Sequence, residues 1–403
     1  MTYLLLLARW VGAAAAIVVL FAPIAHAQEP STRAAAIAQA QAEKAERVRP
    51  YEAGTLEKYL DKAERIMTSG LRWHPFFQSA YSGGGFTLGA GYRTHVSPYN
   101  TVDFRGSYTF SGYKRVETEF LAPRLMNRQA RFWAIGGWRE ATQVGFYGLG
   151  TDTSKDDRAN YGFKQLYGLG TLEVRPGRSF VVLQGGVEAS QWEQTPGAGS
   201  VPSVDDVYTP SNLVGLGSTV TYIHSHAMAG LDTRPSPGYA RRGSFIGVTF
   251  RDFSDTDSAY GFKQVDYEAL QHVPLLRETW VLSFRGAVST TGTKSGQQIP
   301  FYMLPSIGGG SSLRGYNSWR FRDRNSLLLQ AEWRIMVNRF LDTALFYDTG
   351  KVTAHSRDLS LSGLQDDYGI GFRLHSLIAT PLRIDFAKSR EGLAIVFASS
   401  AVF

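Results

Sequence analysis

The final eleven residues, Leu393 to Phe403, alternate in character and close the chain on an aromatic ring. The odd positions run Leu393, Ile395, Phe397, Ser399, Ala401 and Phe403. A side-chain period of two puts that set on one face of a β-strand. So apolar an edge strand would recruit other chains unless the sheet closes on itself. The pattern predicts the last strand of a membrane-spanning barrel, with the odd face toward lipid. Ile395, Phe397 and Phe403 are its expected C-terminal assembly signal.

The same period recurs upstream. Val102, Phe104, Gly106, Tyr108 and Phe110 share one face, and Asp103, Arg105, Ser107 and Thr109 share the other. Leu382, Ile384 and Phe386 alternate with Arg383, Asp385 and Ala387. Apolar-out, polar-in alternation is the signature of a transmembrane barrel. Ser82-Gly83-Gly84-Gly85, Ser97-Pro98-Tyr99-Asn100 and Arg175-Pro176-Gly177-Arg178 read as turns between strands. Longer polar loops are expected at 150–160, 193–212, 291–322 and 352–364. The fold class is therefore all-β, an antiparallel transmembrane barrel of about sixteen strands over residues 71–403, with an even strand number as bacterial barrels use. A soluble propeller or sandwich explains neither the terminal aromatic nor an export signal.

Residues 1–27 read as a secretory signal peptide, with Arg9, an apolar stretch from Val11 to Ala25, and Ala25-His26-Ala27 for cleavage. An uncleaved N-terminal anchor is the rival reading. The zone 28–70 looks helical: Ser31 or Thr32 caps an Ala-rich helix to Val48, Pro50 stops it, and Thr55 precedes a second helix through Leu56 to Met67 that Gly70 stops. It serves either as a tether on the periplasmic side or as a plug in the lumen. The chain has no Cys, which excludes disulfides, cysteine-based metal chemistry and a lipoprotein anchor. A net charge of +7 is scattered along strands rather than clustered, so nucleic acid is not an expected partner.

Four stretches carry a family resemblance. They are Asp232-Thr233-Arg234-Pro235-Ser236-Pro237 with Gly243 downstream, Ile307 to Tyr316, Gln330-Ala331-Glu332-Trp333-Arg334, and Phe346-Tyr347-Asp348-Thr349-Gly350. Gly369 to Arg373 and Pro381 to Phe386 continue the pattern. Together they resemble the barrel of the bacterial surface-antigen family, the outer-membrane assembly-factor superfamily that includes BamA and TamA. The first stretch resembles the family's D-x-R-x-x-P motif, with Ala240 where a second Pro is common. Arg314-Gly315-Tyr316 resembles the R-G-aromatic tip of the family's sixth loop, and Phe346 to Gly350 resembles its F-x-D-x-G strand.

Beside the resemblance stands a physical reading. Gly308, Gly309 and Gly310 let the loop fold sharply inward. If Glu332 and Asp348 both face the lumen, the Arg314 guanidinium inserted from the loop is shared between two carboxylates, which a lysine would not reproduce. The resemblance further implies a seam between first and last strands, where incoming strands pair by β-augmentation. One departure matters: residues 28–70 are too short for the polypeptide-transport-associated domains that family members carry before the barrel. Docking of accessory lipoproteins is accordingly not expected.

No catalytic residue, metal or cofactor is expected. No G-x-S-x-G, Walker-type loop or zincin helix occurs. His224 and His226 share a strand face, but two ligands fall short of a metal site. The expected place is the outer membrane. The expected role is assisting insertion or assembly of proteins, or lipid handling, with lipids and unfolded outer-membrane proteins as partners. The alternative is a passive channel or structural surface protein.

Overall fold

The structure, a computed structural model, describes residues 32–47, Thr55, Lys58, 72–376 and 378–402. The chain divides into two units, 1–61 and 62–403. In the first, helix α1 spans Arg33–Arg47, and Thr32 Oγ1 accepts a hydrogen bond from the Ala35 amide at 3.2 Å. The threonine hydroxyl thereby satisfies one of the amides that a helix start leaves without a partner. The expected signal peptide and all but Thr55 and Lys58 of the second helix lie outside the described residues.

The second unit is a β-structure. Its strands are β1 (Trp73–Pro75), β2 (Thr87–His95), β3 (Thr101–Thr109), β4 (Lys114–Leu125), β5 (Ala130–Phe146) and β6 (Ala159–Val174). Next come β7 (Val181–Pro196), β8 (Thr219–Asp232), β9 (Gly243–Asp255), β10 (Phe262–Leu275) and β11 (Trp280–Thr293). The last are β12 (Ser306–Ile307), β13 (Phe321–Arg322), β14 (Asn325–Met336), β15 (Leu341–Thr353), β16 (Gln365–Leu374), β17 (Leu382–Ser389) and β18 (Gly392–Ala398). Strands β12 and β13 form a separate two-stranded sheet, with a single further bridge from Arg322 to Gly150, and the other sixteen form one antiparallel sheet in chain order. Among the described residues no ladder joins β1 to β18.

Alternation sets the two faces as expected. In β3, Phe104 and Tyr108 stand on the outer surface while Asp103 and Thr109 are buried toward the interior. In β17, Arg383, Asp385 and Ala387 are buried and Leu382 is exposed. One end of the sheet has turns of four to ten residues, at 96–100, 126–129, 175–180, 233–242, 276–279, 337–340 and 375–381. The other end carries the loops 147–158, 197–218, 294–324 and 354–364. Short turns at one end and long loops at the other are the usual asymmetry of outer-membrane barrels. Loop 197–218 begins four residues later than expected, because Trp192 and Gln194 keep β7 in register with β6 and bury their side chains.

The long-loop end of the interior is packed with aromatics. Phe146, Tyr161, Phe163, Trp192, Tyr222 and Phe262 from the wall cluster with Leu213, Phe301 and Tyr302 from the loops. Phe301 meets Phe146 and Tyr161 edge-on, with ring centres 5.1 and 4.9 Å apart. These are favourable aromatic geometries. The segment 76–86 between β1 and β2 lines the interior as well: Arg139 donates to the Ala80 carbonyl at 3.3 Å, and Trp319 Nε1 to that of Ser82 at 2.9 Å.

The terminal strand departs from expectation. Leu393, Ile395 and Phe397 are exposed on the outer face, but β18 ends at Ala398 rather than running to Phe403. Its ladder with β17 stops at the Arg383–Ala398 pair, two residues from Pro381, which has no amide hydrogen to offer. With no partner on either side, Ser399 to Val402 leave the sheet, and Ala401 and Val402 line a small space beside Glu332, Arg334 and Arg373. Phe403 lies outside the described residues.

Candidate functional site

The loop 294–324 turns back on itself through the β12–β13 hairpin and carries Arg314 at its tip. Gly308 and Gly309 start that turn in the left-handed region, with φ of +123° and +95°. A Cβ at Gly308 would lie 2.4 Å from the Asn317 carbonyl oxygen, so no larger residue fits this turn. Leu313, Arg314, Gly315 and Tyr316 are all buried against the inside of the wall. Tyr316 packs edge-on to Phe321 at 5.1 Å, and its hydroxyl donates to the Asp366 carbonyl at 3.2 Å.

The Arg314 side chain has 0% exposure. Its Nε and Nη2 donate to Asp348 at 2.6 and 2.8 Å, and Nη1 donates to Glu332 at 2.8 Å. The guanidinium lies 3.5 Å from the centre of the Phe346 ring, which adds a cation–π contact. Glu332 on β14 and Asp348 on β15 are not paired opposite each other: Glu332 faces Phe346 and Asp348 faces Gln330 across the ladder. That diagonal offset leaves a gap that a planar, five-donor guanidinium can bridge.

The pair belongs to a larger network. Arg373 on β16 donates to Glu332 at 2.8 Å and to Asp385 at 2.5 Å, and Arg383 on β17 lies 3.2 Å from Asp385. Three guanidiniums, of Arg314, Arg373 and Arg383, thus share three carboxylates, of Glu332, Asp348 and Asp385, across four consecutive strands. Hydrogen bonds involving backbone carbonyls of the loop hold the tip from further points. Gln330 donates to the Ser312 carbonyl at 2.8 Å, Arg285 to Ser311 at 3.1 Å, and Ser389 to Gly315 at 2.8 Å. Buried charges need this density of partners, since each would otherwise lose its hydration uncompensated.

The other expected residues lie elsewhere. Asp232, Arg234, Pro237 and Gly243 sit around the short turn 233–242, at the end opposite the loop origin. Asp232 accepts from the Arg234 backbone and Nε at 3.1 and 2.9 Å, and Arg175 reaches it at 3.3 Å. Gly243 has φ of +95°, and a Cβ there would lie 2.7 Å from the Thr233 carbonyl oxygen. Pro237 opens the turn Pro237–Tyr239, whose Tyr239 hydroxyl donates to Asp342 on β15 at 2.7 Å and stacks on His375 at 4.0 Å. Ile395 and Phe397 stand on the outer surface, far from any polar network in character. His224 stacks on Phe253 at 4.1 Å and faces Glu188 at 3.9 Å.

Sequence reasoning missed Arg373, Arg383 and Asp385 as members of the network. Their inward alternation was visible, but nothing in the spacing joins them to a loop tip some sixty residues upstream.

A family model for the Omp85 superfamily domain matches residues 36–392 of this sequence. The chain belongs to the Omp85 superfamily. Its fold is similar to that of BamA from Haemophilus ducreyi lacking POTRA domains 1–3, with a TM-score of 0.59 at 16% identity. That match covers 78% of this chain and 67% of the other. CdiB from Escherichia coli matches with a TM-score of 0.53 at 13% identity, over 79% of this chain and 57% of its own. The chain thus spans about two thirds of the first structure and less of the second. No curated protein matches by sequence. As an Omp85-superfamily barrel, the protein resides in the outer membrane.

Proposed function

We propose that this Omp85-superfamily barrel assists insertion or assembly of proteins, or handles lipid, at the outer membrane through the edge between its first and last strands. The observation that carries the reading is the condition of that edge. Strand β1 has three residues and ends in Pro75, β18 has seven and β17 eight. A tilted strand needs about 9–11 residues to span the hydrocarbon core. The wall is therefore low on both sides of an edge that is unpaired among the described residues, whereas β5, with 17 residues, is tall. Unpaired strand edges accept other strands, and a short wall leaves adjacent lipid poorly matched.

In this reading the partners are outer-membrane lipids and unfolded outer-membrane proteins, and the barrel is a device for assembly rather than an enzyme. Arg314 acts as a lock. It ties the loop 294–324 to β14 and β15, while Ser389 ties the same tip to β17, so the short strands beside the edge hold their curvature. The aromatic packing at the long-loop end weighs against free conduction as the main role. The test is folding of an unfolded model outer-membrane barrel into liposomes with and without the purified protein. A rate increase that Arg314→Ala abolishes supports the reading. An unchanged rate overturns it.

A further inference from the structure

An open pocket of about 330 Å³ is lined by Gln78 to Ser82, Arg115, Arg139 and Trp319, and among the described residues its charged lining is Arg115 and Arg139. The inward segment 76–86 forms its roof together with Trp319, which stacks on Tyr81 at 4.4 Å between ring centres. We propose that this pocket is a binding site for a small oxyanion, a phosphate or a carboxylate, held by Arg139 and Arg115. The proposal does not depend on assembly activity.

Arg139 carries the argument. Its Nε donates to Gln165 at 2.6 Å and Nη1 to the Ala80 carbonyl at 3.3 Å. Both partners are neutral. Four aromatic rings, of Tyr81, Phe163, Tyr167 and Trp192, surround the guanidinium, with centres 5.5 to 5.9 Å away. Arginine cannot shed its proton in a protein, so it presents a permanent charge to whatever occupies the pocket. Other interior arginines meet acids, Arg314 with Asp348, Arg373 with Asp385 and Arg105 with Glu119, whereas Arg322 donates to the Phe301 carbonyl at 2.9 Å. The nearby acids are engaged elsewhere. Glu117 lies between Arg105 and Arg115, at 2.5 and 2.6 Å, and also accepts from Tyr167 at 2.7 Å. Glu188 accepts from Gln165 at 3.2 Å, lies 3.9 Å from His224 and acts on Arg139 through its charge.

The surroundings suit an oxyanion. A guanidinium fork matches two oxygens of a phosphate or carboxylate, and low-dielectric aromatic walls strengthen that pairing over the same pair in water. Gln78, Ser79 and Ser82 on the roof add polar groups that can fix orientation. The volume admits a small organic acid or phosphate ester.

The experiment uses the purified protein in detergent. Sodium phosphate and, separately, sodium succinate are titrated at constant ionic strength balanced with sodium chloride, and tryptophan fluorescence is read. The expected result is a saturable change with either or both anions. Trp319→Phe should remove the signal, and Arg139→Gln should raise the dissociation constant at least tenfold. Response to one anion alone identifies which oxyanion the site prefers. A response equal to that of chloride, or one unchanged in Arg139→Gln, overturns the proposal. Retention of the heat-resistant folded band checks that the variant folds. If Arg139→Gln does not fold, Arg115→Gln decides by the same tenfold criterion.

Discussion

Arg314 donates through Nε and Nη2 to the two oxygens of Asp348, at 2.6 and 2.8 Å, so a loop tip and a wall strand meet in a two-pronged ion pair without access to water. The geometry matters more than the charge. An ammonium at the same place lacks the planar fork that meets both oxygens of Asp348 at once, and would leave Oδ1 to Gln330, which donates to it at 3.1 Å. Removing one partner of a buried pair strands the other charge, at a cost of about 3–5 kcal/mol. We therefore expect Arg314→Ala and Arg314→Lys both to lower the temperature at which the folded band disappears in semi-native electrophoresis. Lysine should recover only a minor part. Wild-type heat resistance in both variants would remove the lock from this account.

Gly315 tests the fit of the same tip without touching a charge. A Cβ there would lie 2.6 Å from the Asp367 Cβ and 2.9 Å from that of Ser389, both fixed on the wall. Overpacking of this kind costs about 1–3 kcal/mol. Gly315→Ala should displace the tip and expose the Arg314 bond to trypsin, whereas the wild-type loop stays uncut. Equal protease resistance would mean that the wall yields to the added methyl group.

The sixteen-strand sheet and its two faces were readable in the sequence because lipid and lumen impose opposite demands on neighbouring residues. Phe104 and Asp103 differ by one position and face opposite media. Arg314, Glu332 and Asp348 were readable only through the motif-like stretches around them. The end of β18 was not, since apolar alternation continues to Phe403 while the decisive fact, a ladder partner that runs out near Pro381, sits in another strand. Arg139 was equally hidden. Its neighbours Ala80, Gln165 and Trp192 come from three separate segments, and no local pattern reports such an encounter.

The short turn 233–242 makes a second long-range tie. Tyr239 donates to Asp342 at 2.7 Å and stacks on His375, which itself lies 3.1 Å from Asp342. Tyr239→Phe keeps the stack and removes one donor from a buried carboxylate, a loss of about 1–3 kcal/mol. Tyr239→Ala removes both. Heat resistance should fall in that order, and identical values for the two variants would assign the whole contribution to the hydroxyl.

Phe301 separates a packed interior from a pore. It has 1% exposure and contacts Phe146, Tyr161 and Tyr302 at the long-loop end. Replacing a buried phenyl with alanine leaves a cavity and typically costs about 3–5 kcal/mol. Here the vacated volume adjoins long loops and the interior below. We expect the wild-type barrel to conduct weakly in a planar bilayer, and Phe301→Ala to raise conductance severalfold while the sheet persists by circular dichroism. A large wild-type conductance that Phe301→Ala leaves unchanged would place the ion path away from this packing. The channel reading would then gain ground over action at the strand edge, because an interior that already conducts needs no opened wall to connect the two sides of the membrane.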